Sequence, residues 1–318
     1  MRILANDGIS PSGKAKLEAN GFEVVTDTIP QENLVAGINE GGFVGILVRS
    51  ATQVRKEHID ACPNLKLIGR GGVGMDNIDV QYGRDKGLHV INTPAASSQS
   101  VAELAVASLF AMARFTYDAN RKMPSTGTTE FKSLKKAYSK GTELRGKTLG
   151  IIGFGGIGQA LAKYALGIGM NVKYITKGEK ASTDLELDIA GQKIKVTVER
   201  TSMEDLLATS DYVSLHVPKQ ADGSAVLGEA QLAKMKPGVG LINTSRGGSI
   251  DEDALIAALD SGHVKAAALD VFVGEPAPKE HVLSHARIIS TPHIGGSTVE
   301  AQDRIGEELA DQIISLLK

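Results

Sequence analysis

Short apolar runs alternate with amphipathic stretches along nearly the whole chain. In the first third, Arg2 to Ala5, Phe22 to Val25, Phe43 to Val48, Leu65 to Ile68 and Leu88 to Ile91 have the length and composition of strands. Between them, Gly13 to Asn20, Gln31 to Ile38, Lys56 to Ala61 and Ile78 to Lys86 read as helical segments. A period that switches from strand to helix and back predicts a parallel sheet with helices on both faces. This first series ends near Pro94.

A longer helix is predicted from Gln99 to about Asp118. Its apolar residues fall on nearly all sides, which requires burial and suits a subunit interface. Lys122 to Gly141 is polar and rich in Ser, Thr, Gly and Lys, the composition of a connector. A second series begins at Lys147, with strands predicted at Thr148 to Ile152, Asn171 to Ile175, Tyr212 to Leu215, Gly240 to Ile242, Ala266 to Leu269 and Arg287 to Ile289. Asp184 to Arg200 alternates about a turn at Ala190-Gly191 and predicts a surface hairpin. The last helix, Thr298 to Leu316, is free to pack back on either domain. The expected fold is α/β, with two doubly wound parallel-sheet domains.

Composition narrows the function classes. The 318 residues suffice for two cores. A formal net charge of −2 gives no electrostatic case for nucleic acid or an anionic membrane. With one cysteine, Cys62, the chain has neither an intramolecular disulfide nor a cysteine zinc site, and no metal centre is expected. No apolar run reaches the roughly 20 residues of a membrane helix. The start, MRILANDGIS, reads as a strand and turn rather than a leader, so the expected location is cytoplasmic.

The second series opens on Leu149-Gly150-Ile151-Ile152-Gly153-Phe154-Gly155-Gly156-Ile157-Gly158, a strand running through G-x-G-x-x-G into a helix. Gly153 permits the tight turn, Gly155 lets a pyrophosphate approach the backbone, and Gly158 lets helix and strand pack closely. The free amides of the helix start, Gly156 and Ile157 among them, then face the phosphates. A dinucleotide site is expected, with NAD as cofactor. The next strand ends in Thr176 rather than in the acid that holds an adenosine ribose, and Lys177 and Lys180 follow, so NADP stays open.

Further strand ends carry polar residues suited to one reaction. Transfer of a hydride to a 2-keto acid needs a fixed cation for the carboxylate and carbonyl, for which the Arg fork is suited. It needs an acid of near-neutral pKa beside the developing alkoxide, and a carboxylate to keep that acid protonated. Arg246 ends one predicted strand, Asp270 and Glu275 follow another, and His293 follows a third, ahead of Gly295-Gly296. The catalytic candidates are therefore Arg246, Glu275 and His293.

The glycine loop, SDYVSLHVP at 210–218, NTSRGG at 243–248, DVFVGEP at 270–276 and TPHIGG at 291–296 occur in the order seen in the D-isomer-specific 2-hydroxyacid dehydrogenases. The chain resembles that family over essentially its whole length. The resemblance implies that Arg246 binds the substrate's carboxylate and carbonyl, that His293 carries the proton, and that Glu275 raises its pKa. It places Asp270 at the nicotinamide carboxamide, with Val217, Pro218 and Thr244 lining the nicotinamide end and Gly295 as a further cofactor contact. It also implies a Rossmann cofactor domain at 94–292, inserted in a flavodoxin-like substrate domain formed by 1–93 and 293–318. A homodimer through the 99–118 helix is implied as well.

In the first series, Arg49 and Ser50 follow one strand, and Arg70, Gly72, Val73 and Gly74 follow the next. The glycines let backbone close on a small carboxylate, and the two arginines suit a second anionic group. This pattern resembles the phosphoglycerate dehydrogenase branch of the family, in a short form without a C-terminal regulatory domain. Its implied reaction is NAD-dependent oxidation of D-3-phosphoglycerate to 3-phosphohydroxypyruvate, a step of serine biosynthesis. The basic run Lys132, Lys135, Lys136 and Lys140 matches a region of phosphate contact there, or is a solvated surface. Glyoxylate or hydroxypyruvate reductase and D-lactate dehydrogenase are the alternative enzymes. An NAD-sensing binding protein, like the corepressors that share the fold, is the alternative of another class.

Overall fold

The computed structural model describes residues 1–178 and 180–318; Glu179 lies outside the described residues. The chain divides into two units, Met1–Ser100 with Gly296–Lys318 and Val101–Gly295. The first contains β1 (Arg2–Ala5), α1 (Pro11–Ala19), β2 (Glu23–Val25), α2 (Leu34–Glu40), β3 (Phe43–Val48), α3 (Lys56–Ala61), β4 (Leu67–Arg70), α4 (Val80–Asp85) and β5 (His89–Asn92). After α5 (Ser98–Arg114) and α6 (Thr116–Ala137), the second contains β6 (Thr148–Ile152), α7 (Gly156–Gly167), β7 (Asn171–Ile175), β8 (Ser182–Ile189), β9 (Gln192–Glu199), α8 (Met203–Thr209) and β10 (Tyr212–Leu215). It continues with α9 (Glu229–Ala233), β11 (Val239–Asn243), α10 (Glu252–Asp260), β12 (Val264–Leu269), α11 (Glu280–Leu283) and β13 (Ile288–Ser290), before the chain returns to the first unit as α12 (Val299–Leu317).

Both main sheets are parallel, as the alternation predicts. The first has the order β2-β1-β3-β4-β5 and the second β13-β12-β11-β10-β6-β7. Consecutive strand residues enter opposite cores, which is why these strands are apolar throughout rather than alternating. Leu4, Ile46 and Ile68 pack with Leu34 and Ile59 on one face of the first sheet, and Ile3, Leu47 and Leu67 with Leu17, Ile305 and Leu309 on the other. In the second sheet Ile151, Tyr212 and Ile242 face one core, and Ile152, Val213 and Leu241 the other. Strand order reverses between β1 and β3 and between β6 and β10, so the carboxyl ends there are where ligands bind in such sheets.

The last helix packs on α1. The two backbones meet where a Cβ on Gly13 would lie 2.5 Å from the Gly306 carbonyl carbon. The predicted hairpin is present, with Ala190 and Gly191 at positive φ in its turn.

Two expectations about the middle of the chain need correction. The helix expected to reach Asp118 stops at Arg114, because Phe115 adopts φ 55° and turns the chain left-handed. It is also not buried all round: Phe110 is 45% exposed. The segment expected to connect, from Lys122 to Gly141, is largely the helix α6, kinked at Glu130. Its hydroxyl residues do not break it, because Ser125, Thr126, Thr129 and Ser133 donate back to carbonyls three or four residues earlier. Lys132, Lys135 and Lys136 are exposed on α6, and Lys140 is exposed just beyond it. Among the described residues no helix is long and apolar enough to cross a membrane.

Candidate active site

The glycine loop leaves the second sheet at the switch between β6 and β10, and each glycine has a distinct reason. Gly153 has φ +96°, and a Cβ there would lie 2.2 Å from the His216 carbonyl oxygen. A Cβ on Gly158 would lie 2.3 Å from the Gly153 carbonyl oxygen, so only glycine lets α7 start this close to the turn. Gly155 caps α7 and faces open space, leaving backbone and the amides of Gly156 and Ile157 accessible. Val217 packs beside Gly153, at the glycine turn, and Pro218 is exposed. Thr244, one residue past β11, has a hydroxyl buried with no partner among the described residues. An orphaned buried hydroxyl and an open glycine cradle are what a bound dinucleotide would complete, so the residues present fit the cofactor. Thr176 follows β7 directly, and just beyond it the Gly178 carbonyl accepts a bond from Arg200.

Three strand ends of the same unit converge on the polar set. After β11, Asn243 accepts from the amide and hydroxyl of Ser245 at 3.1 and 2.7 Å and donates to the Arg246 carbonyl at 2.9 Å. This small side-chain turn fixes the loop that carries Arg246, whose guanidinium donates to the Ser245 carbonyl at 2.6 Å. A Cβ on Gly247 would sit 1.9 Å from the Phe272 carbonyl oxygen, so glycine lets the loops after β11 and β12 touch.

Phe272 in turn donates its amide to Glu275 Oε1 at 2.8 Å, and Glu275 Oε2 meets His293 Nδ1 at 2.8 Å. Burial would raise the Glu275 pKa. The bond to His293, the Phe272 amide and the Arg246 charge outweigh it and hold the carboxyl below its ordinary value. With Nδ1 engaged, Nε2 is the ring nitrogen left for proton exchange, and the ring is about half exposed. Asp270 lies beneath this turn and accepts three bonds from residues 291–295, including one from Gly295. His216 directly follows β10, with Nε2 on the Ser214 hydroxyl at 2.8 Å, and burial pushes its pKa down to about 3.

The first unit holds the other candidates. Arg49 and Ser50 follow β3, where Asp7 accepts from the amides of Arg49 and Thr52 at 2.6 and 3.1 Å. Asn77 donates to the carbonyls of Arg49 and Thr52. Arg70 ends β4, and its guanidinium occupies the space where a Gly72 side chain would be. Gly72 has φ +140° and donates its amide to the Thr93 hydroxyl at 2.8 Å, while Val73 is exposed and Gly74 follows in the same loop. Sequence reasoning assigned no role to Asp7, Asn77, Thr93 or Asn243. The available signal was the preference of Asn, Asp and Thr for bonding nearby loop backbone, at the ends of strands or in the loops that follow them.

Residues 106–295 match the family model described as "D-isomer specific 2-hydroxyacid dehydrogenase, NAD binding domain". The chain is 42% identical to a hydroxypyruvate reductase of Thermotoga maritima, covering 99% of this chain and 98% of that one. It is 36% identical to a D-3-phosphoglycerate dehydrogenase of Mycobacterium bovis, over 98% of this chain but only 56% of the relative, so it spans little more than half of that protein. A crystal structure of a glyoxylate reductase from Paecilomyes thermophila superposes with a TM-score of 0.83 at 29% identity, covering 100% of this chain and 95% of that one.

Proposed function

The chain belongs to the D-isomer-specific 2-hydroxyacid dehydrogenases, oxidoreductases of small 2-hydroxy and 2-keto acids with an NAD-binding domain, and from that premise we propose that it oxidises D-3-phosphoglycerate at C2. The observation that carries this substrate is the pair of arginines, Arg49 just past β3 and Arg70 at the end of the adjacent β4. Two such cations suit an acid with an anionic group beyond its carboxylate. On this reading the first unit binds substrate and the second binds cofactor.

The dinucleotide, when bound, supplies the hydride acceptor. Arg246 holds the substrate carboxylate and the oxygen at C2. His293 Nε2 accepts the hydroxyl proton as the C2 hydride leaves, and Glu275 stabilises the imidazolium that results. The reverse sequence reduces the keto acid. Val217, Pro218, Thr244 and Gly295 are assigned to the cofactor side, with the glycine loop and Thr176.

Hydroxypyruvate reduction is the second reading, favoured by the 42% identity that runs end to end with the Thermotoga maritima reductase. It uses the same groups without the phosphate. Steady-state kcat/KM for 3-phosphoglycerate, 3-phosphohydroxypyruvate, hydroxypyruvate, glyoxylate and pyruvate, each with both dinucleotides, separates the two. A preference for the unphosphorylated acid refutes the first. We assign a homodimer to α5, where Phe110 is the large exposed apolar residue. A cytoplasmic setting suits the single, buried Cys62.

A further inference from the structure

Asp270 is 2% exposed, and its carboxylate accepts from residues 291–295: the Thr291 hydroxyl at 2.6 Å, the Ile294 amide at 2.8 Å and the Gly295 amide at 2.8 Å. That segment is the one that carries His293. Its backbone is unusual: His293 has φ 54°, a left-handed conformation that L side chains disfavour, and its amide donates back to the Thr291 carbonyl at 3.0 Å. The successive amides of Ile294 and Gly295 donate to the two oxygens of one carboxylate, an arrangement of backbone donors that favours an anion. Asp270 is that anion. A Cβ on Gly295 would come within 2.9 Å of Asp270 Oδ2, so the glycine keeps the carboxylate close.

We propose that Asp270 is a positioning residue for the acid–base step, its carboxylate holding the 291–295 turn so that the left-handed His293 keeps its ring on Glu275. Asp270 and Glu275 thus divide the work, one gripping the backbone and the other the imidazole. The inference rests on the reading of His293 as proton carrier and departs from the expectation that Asp270 serves chiefly as a contact to the nicotinamide. An Asn at 270 keeps the shape but turns an N–H donor toward donors of the same turn.

The test separates kcat from cofactor binding. In Asp270→Asn, kcat at saturating cofactor and substrate should fall about 30-fold or more, while the Kd of NADH, read from its fluorescence, should move less than about threefold. In a His293→Asn background the same change should cost no more than about twofold of the residual rate, because its effect passes through the ring. A tenfold rise in the NADH Kd with kcat preserved would make Asp270 a cofactor contact and overturn the proposal. So would an equal loss in both backgrounds. Thr291→Val removes one donor without touching the buried charge, and guards against a misfolded Asp270 variant. It should lower kcat about threefold to tenfold with the Kd of NADH unchanged, and an unchanged kcat counts against the proposal. Failure of the underlying reading appears separately, as turnover surviving in His293→Asn alone.

Discussion

The carboxyl ends of the two sheets are built in different ways. After β11, β12 and β13 the loops are stitched to one another: Asn243 holds the Arg246 turn, Gly247 lies on the Phe272 carbonyl, Phe272 holds Glu275, and Glu275 holds His293. After β3 and β4 the loops are held from behind, by Asp7, Asn77 and Thr93, while Ser50 and Val73 stay exposed. Hydride and proton transfer tolerate little displacement, and the groups proposed to perform them are fixed atom by atom. Substrate choice depends more on where charge is placed, which a firm backbone and projecting side chains supply. On the proposed reading, the second unit carries the reaction class and the first carries the choice of substrate.

If this contrast is right, substitutions in the second unit damage all substrates alike, and those in the first discriminate among them. The largest effect expected is His293→Asn, which should reduce kcat by about a thousandfold for every acid while the Kd of NADH stays within about threefold. Substantial turnover would remove His293 from its role.

Glu275→Gln should come next, with kcat lowered about tenfold to a hundredfold, again for every substrate. It should also mark the pH dependence of stability. A carboxyl whose pKa is lowered by folding contributes stability that is present above its ordinary value of 4.5 and lost as pH falls through the folded value. The wild type should therefore exceed Glu275→Gln in Tm at pH 7, with the gap closing as pH falls below about 4.5. A gap that does not change between pH 7 and pH 4 would show that the carboxylate is not stabilised by its partners.

Arg49→Ala tests the other side of the contrast. Loss of a charge-assisted contact should raise KM for 3-phosphoglycerate about tenfold or more and leave hydroxypyruvate within about threefold. Equal losses for both acids would erase the division of labour between the sheets.

Much of this was legible because the relevant signals are local. Gly153, Gly155 and Gly158 mark the turn by their spacing together with the apolar run before and the helical stretch after, and the strands are buried on both faces, so they read as continuous apolar runs. Arg246, Glu275 and His293 stood out as polar residues just past apolar strands. Less legible was what joins distant segments. The contact between Gly247 and Phe272, and the three bonds from 291–295 to Asp270, depend on neighbouring strands whose order no local pattern encodes. Helix α6 escaped notice for a different reason. Its Ser and Thr side chains have loop propensity, and only in the folded chain do their hydroxyls turn back onto helix carbonyls.

The smallest effect concerns stability, at the middle of the second sheet. His216 has Nδ1 shut off from solvent without a partner among the described residues, and burial lowers its pKa from 6.5 to about 3. A histidine depressed in this way contributes full stability above 6.5 and loses it as pH falls toward the folded value, because only the unfolded chain takes up the proton. The slope from one such group is at most about 1.4 kcal/mol per pH unit. His216→Asn forfeits packing and the bond to Ser214, so at pH 7.5 it should be less stable, by about 1 kcal/mol. It carries no proton debt, so the deficit should narrow or reverse by pH 5. Urea unfolding at the two pH values measures both differences, and a deficit that is the same at each would mean that the ring is not kept neutral by the fold.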